Sequence, residues 1–161
     1  MSKGTHVTGQ TQGVSITKLL EEKLGSARDR FLLPPPVYET IAADVIEVDT
    51  DAGSLVLRFP MLERYLNPYG TMQGGMIAAA VDNTIGPLSL LVAPANVTRT
   101  LQLEYLKPAK GTLPYIDVKA RLAEHHKRRL VFEAEVFDPD GNLLATSRSV
   151  NLVIAKAYSP K

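Results

Sequence analysis

Apolar and polar positions along this chain fall into three kinds of pattern, and each predicts a different element. Two-residue alternation runs through Leu55, Leu57 and Phe59, and again through Ile116, Val118, Ala120 and Leu122, which are interleaved with Asp117, Lys119 and Arg121. Stretches of this kind make strands with one buried and one wet face. Helical spacing puts Ile16, Leu19, Leu20 and Leu24 on one side of Ser15–Leu24. That predicts a short amphipathic helix, with Ser15 or Thr17 as its cap and Gly25 at its end. In the third pattern, Met76 to Val81 is apolar with no polar stripe, inside the longer stretch Asn67–Val92. A helix apolar all round is usually a buried one. Asp82, Asn83 and Pro87 interrupt the run before it could span a bilayer. A central helix enclosed by a curved sheet is therefore expected.

The remaining segments supply that sheet. Leu33-Pro34-Pro35-Pro36 reads as a stiff extended connector. Strands are predicted from about Thr40 to Val48, along Leu55–Phe59, from Thr98 to Leu106, around Ile116–Leu122, from Leu130 to Phe137 and from Leu143 to Ala155. Turn chemistry separates them at Asp49–Gly53, Pro108–Gly111 and Asp138–Gly141. His125 to Arg129 reads as a polar link. The order is helix, two strands, central helix, four strands, which predicts an α+β domain with one antiparallel sheet. Residues 1–13 lack periodicity and are expected to form a loose tail, leaving 14–161 as a single domain.

Composition narrows the function classes. The 161 residues are 45% hydrophobic and 22% charged, with a formal net charge of +1. That is ordinary for a globular chain and gives no broad field for nucleic acid or membrane. There is no cysteine, which removes thiol catalysis and cysteine-based metal sites and agrees with a reducing compartment. The first residues lack an apolar signal core, so a cytoplasmic protein is expected. His6, His125 and His126 all lie outside the central stretch, and no third ligand accompanies His125-His126, so no metal site is expected. Neither a Gly-x-Ser-x-Gly elbow nor a phosphate-binding loop motif is present.

Two features make the central helix a candidate site. Gly74-Gly75 falls near its start, where backbone N–H groups have no intrahelical partner and glycine admits close approach. Such an end receives an anion or a developing oxyanion. Asp82 is an ionisable group in apolar surroundings, expected to be buried with its carboxyl pushed towards the range of a general base. Gly74 and Asp82 are about 12 Å apart along the axis at ~1.5 Å per residue. One carbonyl cannot be touched by both within ~3 Å. Two antiparallel copies of the helix, as in a two-fold dimer, could bring them together.

The run N-P-Y-G-T-M-Q-G-G-M-I-A-A-A-V-D-N, from Asn67 to Asn83, resembles the signature of hotdog-fold acyl-CoA thioesterases of the phenylacetate-pathway type. The resemblance continues through Thr98–Ala109 and more loosely to Ile154. It implies a hotdog fold, a long central helix wrapped by a curved antiparallel sheet, here with an extra N-terminal helix. The implied activity is hydrolysis of an acyl-CoA thioester in a homodimer or dimer of dimers, with no cofactor beyond the coenzyme A of the substrate. By the same resemblance, Asp82 directs water, held by Thr98, while Gly74, Gln73 and Asn67 attend the thioester carbonyl. Gly75, Lys107, Lys110, Lys127, Arg128 and Arg129 are the implied contacts to coenzyme A. One position departs: Gln73 stands where the family has His, and an amide does not titrate. Each residue also has a plainer reading: a turn Asn, a strand Thr, a close-packed Gly, solvated hairpin cations. A non-catalytic acyl-CoA binder and a hotdog hydratase or dehydratase are the rival readings. The second lacks its usual histidine here.

Overall fold

The computed structural model describes residues 6–7 and 15–154. A single antiparallel sheet curls around one long helix. The strands are β1 (His6–Val7), β2 (Asp44–Asp49), β3 (Ser54–Pro60), β4 (Asn96–Tyr105), β5 (Tyr115–His126), β6 (Arg129–Phe137) and β7 (Leu143–Val153). The helices are α1 (Ile16–Leu24), α2 (Val37–Thr40) and α3 (Gly74–Val92). Strand order across the sheet is β1-β2-β3-β5-β6-β7-β4. This is the hotdog arrangement implied by the resemblance.

Alternation decides which face each strand buries. Leu55, Leu57, Phe59, Ile116, Val118, Phe132 and Ala134 turn inwards onto Ile77, Val81, Ile85 and Leu88 of α3. The other face of the sheet carries charges matched across strands, where each strand residue faces its neighbour. Arg58 holds Asp117 through two hydrogen bonds of 2.8 and 2.9 Å and stacks over the Tyr115 ring, tying β3 to β5. That carboxylate raises the Arg58 pKa above its ordinary value, burial opposing it. Arg121 pairs with Glu133, and Glu124 accepts from both Arg129 and Arg148.

Several local expectations are corrected. The chain from Val37 to Thr40 is a helical turn, so β2 starts at Asp44 rather than at about Thr40. His125 and His126 are the last residues of β5 rather than part of a link, and the turn shrinks to Lys127-Arg128, with Lys127 at φ 54°. Neighbouring strand residues point to opposite faces, so these two histidines cannot share a metal ion. Of the expected tail, His6 and Val7 pair with Asp49 and Val48 of β2; the rest lies outside the described residues.

The largest correction concerns α3. The sheet and α1 leave one side of it open, where a cover over most of its circumference was expected. Gln73, Gly75 and Asp82 are exposed in the protomer, and Ala78, Ala79, Asn83, Gly86 and Leu90 are only half-buried. Gly75, Ala79, Asp82 and Gly86 recur at helical spacing, so they form one open stripe of mostly small residues. By length and composition α3 could also cross a bilayer, but half of it is buried inside this fold.

Candidate functional site

The start of α3 is held by a loop that the sequence builds with turn residues. Asn67 accepts hydrogen bonds at Oδ1 from the Tyr69 and Thr71 amides, 2.9 and 3.2 Å, and donates Nδ2 to Thr71 Oγ1 at 2.9 Å. Its side chain shapes the turn rather than reaching towards Gln73. Gly70 closes that turn at φ 72°, a conformation L side chains resist. The Met72 amide donates to the Ala109 carbonyl, Gly111 donates to the Gly70 carbonyl, and Gln73 donates to the Tyr65 carbonyl, each at 2.8 Å. The loop is thus clamped against residues 109–111, and α3 has no freedom in where it begins.

Gly111 is the tightest point of that clamp. A Cβ there would lie 2.8 Å from the Gly70 carbonyl oxygen and 2.8 Å from Leu66 Cδ1. Gly111→Ala is therefore expected to lower Tm by roughly 3–10 °C, the scale of ~1–3 kcal/mol of overpacking in a chain this size. A thermal melt against the parent protein checks it; an unchanged Tm would show that the clamp yields.

Gln73 occupies the N-cap position, and its side chain makes no capping hydrogen bond. Among the described residues, the Gly74 and Gly75 amides donate to no backbone or side-chain acceptor. Two adjacent N–H groups at a helix's positive end are thereby free for a ligand oxygen. A cavity of about 270 Å³ opens there, lined by Met72, Gly74, Ile77, Tyr105 and Lys107 among others. Tyr105 joins the site without having been marked by the sequence pattern. Its hydroxyl donates to the Gly74 carbonyl at 2.8 Å, and its ring lies 3.2 Å from where a Gly74 Cβ would be. An aromatic within Gln102–Lys107 is the available signal, but nothing in the linear pattern aims it at the helix start.

Asp82 lies further along α3 on the open stripe. Thr98 Oγ1 donates to Asp82 Oδ1 at 3.3 Å, so these two candidates do meet. The carboxylate is exposed in the protomer, contrary to the expectation of burial, because none of the described strands crosses this side of α3. The β-bulge between Thr98 and Thr100 interrupts the pairing of β4 with β7 just beside it. Behind lies a polar brace: Asn151 donates to Asn96 Oδ1 at 2.9 Å and accepts from Ser149 at 2.7 Å. A second cavity, of about 280 Å³, includes Asp82, Asn83 and Thr98 together with Phe31, Leu33 and Tyr38. It shares no lining residue with the cavity at the helix start.

Five cations were candidates for coenzyme A. Lys107 and Lys110 lie at the helix-start end, Lys110 bridging Thr71. Lys127 and Arg128 form the β5–β6 turn and Arg129 opens β6 at the opposite end, where Arg128 donates to the Val153 carbonyl and Arg129 pairs with Glu124. One protomer therefore does not gather all five. A larger concavity of about 680 Å³ lies on the charged outer face between Glu47, Lys119, Arg121 and Arg148. It contains neither the free amides nor Asp82.

The thioesterase superfamily profile matches residues 69–145. A proposed esterase of Saccharolobus solfataricus is 31% identical over 127 residues, covering 77% of this chain and 87% of its own. Among solved structures, a proposed thioesterase of Ralstonia eutropha related to phenylacetic acid degradation superposes with a TM-score of 0.70 at 28% identity, covering 84% of this chain and 98% of that one. PaaI of Escherichia coli, from the phenylacetic acid degradation operon, gives a TM-score of 0.71 at 15% identity, covering 89% and 99%. At that identity the likeness is one of fold.

Proposed function

Since this chain belongs to the thioesterase superfamily, we propose that it hydrolyses acyl-CoA thioesters at a site assembled from two protomers. One observation carries the reading. The two halves of a hydrolytic site lie along one α3, unpaired amides at Gly74-Gly75 at its start and Asp82, held by Thr98 of β4, further on, yet they open into different cavities. Neither half is complete alone. A two-fold partner running antiparallel would set the amides of one protomer against the acid of the other, since an isologous interface meets itself reversed. The small residues of the stripe let two such helices approach closely, and β4, paired on one side only among the described residues, offers an edge to a second copy.

In that arrangement Asp82, with Thr98, orients a water and takes its proton as the oxygen attacks the thioester carbon. The Gly74 amide, assisted by Gly75 and Gln73, receives the charge that develops on the carbonyl oxygen. Collapse of the tetrahedral adduct breaks the C–S bond. The proton returns to the departing thiolate, giving free acid and coenzyme A. Gln73 donates a hydrogen bond without shuttling a proton. Lys107 and Lys110 of one protomer, with Lys127, Arg128 and Arg129 of the other, would meet the coenzyme A phosphates by point charge and by paired guanidinium contacts.

Gln73 in the family's His position favours one alternative, a protein that binds acyl-CoA without cleaving it. Thiol release measured over a panel of acyl-CoAs decides between them. Turnover of at least one panel member is expected. Saturable binding with no thiol released would establish the binder instead.

A further inference from the structure

The cavity beside Asp82 is walled on one side by a segment that belongs neither to α3 nor to the sheet. Phe31, Leu32, Leu33, Pro35 and Tyr38 precede β2, lie outside the superfamily match at residues 69–145, and line this cavity together with residues of α3. Opposite them stand Pro87 and Leu90 of α3. Burial lifts the Tyr38 phenol from its ordinary value to about 12, so it stays protonated and neutral. Among the described residues of one protomer, Asp82 is the only other ionisable group lining the cavity, and the lining includes no cation. Its neutral polar residues, Asn83, Ser89, Asn96, Thr98 and Asn151, have their side-chain donors committed to acceptors of the protein itself. At about 280 Å³ the space falls just under the ~300–1,000 Å³ typical of whole small-molecule pockets. It suits one part of a substrate, not the nucleotide as well.

We infer that the segment Phe31–Tyr38 is the acyl-selecting wall of this protein, and that the acyl group it accepts is short, apolar and uncharged. The inference rests on the acyl-CoA reading above and adds to it the class of acyl group. An alkyl or aryl acyl tail gains from burial against these side chains, roughly fourfold in affinity for each methylene removed from water. A tail ending in a carboxylate finds no counter-ion, loses its hydration and meets the like charge of Asp82, so it is refused twice. Leu32 is 60% exposed at the cavity's edge, so its identity sets the local charge without supporting the core.

Hexanoyl-CoA and adipoyl-CoA, alike in chain length and different in terminal charge, provide the test on the full-length protein. We expect kcat/KM to favour hexanoyl-CoA by at least ~10²-fold, the consequence of leaving a carboxylate unpaired where the lining offers no cation and its polar donors are already engaged. Leu32→Lys should narrow that ratio by up to about fivefold, the scale of a partly exposed ion pair. Phe31→Ala should raise KM for hexanoyl-CoA. Equal kcat/KM for the two thioesters, or a ratio that Leu32→Lys leaves untouched, overturns the wall. Calorimetric binding of both thioesters is run in parallel. A protein that cleaves neither but binds hexanoyl-CoA selectively refutes hydrolysis and keeps the wall; one that cleaves both equally does the reverse.

Discussion

Asp82→Ala is expected to lower turnover of the preferred acyl-CoA by at least ~10², the scale of a positioned general base, while leaving the fold intact. Both halves of that expectation come from where the residue sits. Its carboxylate is exposed in the protomer and is held there by Thr98. Truncation therefore empties no cavity under the sheet and strands no buried charge, the two usual routes to a large loss of stability. The core residues of the same helix, Ile77, Val81, Ile85 and Leu88, face the opposite side and are untouched. Steady-state kinetics beside a thermal melt gives the result. A variant at the wild-type rate would remove Asp82 from the reaction, and a variant that unfolds would show that its partner contacts matter more than its chemistry.

Mixing two dead proteins should restore activity. Gly74→Val, like Asp82→Ala, is expected to be nearly inactive by itself. Its Cβ would crowd Tyr105 Cζ at 3.2 Å, and its methyl groups would fill the mouth of the helix-start cavity. If each site takes its amide from one protomer and its acid from the other, a hybrid dimer contains one site with both defects and one with neither. Random association of equal amounts then returns about a quarter of wild-type activity. Co-expression with two different affinity tags isolates the hybrid. A hybrid no more active than its parents would mean that amide and acid serve the same protomer, which the ~12 Å between them along one helix makes mechanically hard to accept.

Much of this architecture is legible in the order of residues. Alternation at Leu55–Phe59 and Ile116–Leu122 identifies strands and their inner faces, because period-two patterning reflects a pleat that every strand must obey. Asn67-Pro68-Tyr69-Gly70 marks the turn ahead of α3, because Asn and Gly satisfy a turn through local hydrogen bonds and permitted φ angles. The spacing of Gly74 and Asp82 requires two copies of the helix if both serve one carbonyl, because helical rise is constant. Linear pattern fails where the deciding contact is distant in sequence. Phe31–Tyr38 has no period, so it resembles a connector, although a connector this apolar has to be covered by something. Tyr105 reaches Gly74 across 31 residues.

The linear order of residues thus determined the elements, the turn that starts α3 and the chemical types along its open stripe. The fold alone decided which side of α3 the sheet leaves bare, because that follows from β4 pairing with β7 at the edge rather than with its neighbours in sequence. It also decided that the free amides and Asp82 open into separate cavities and that an aperiodic N-terminal segment walls the second. Local patterns report how a residue meets its own element. Only the closed sheet specifies which elements become neighbours.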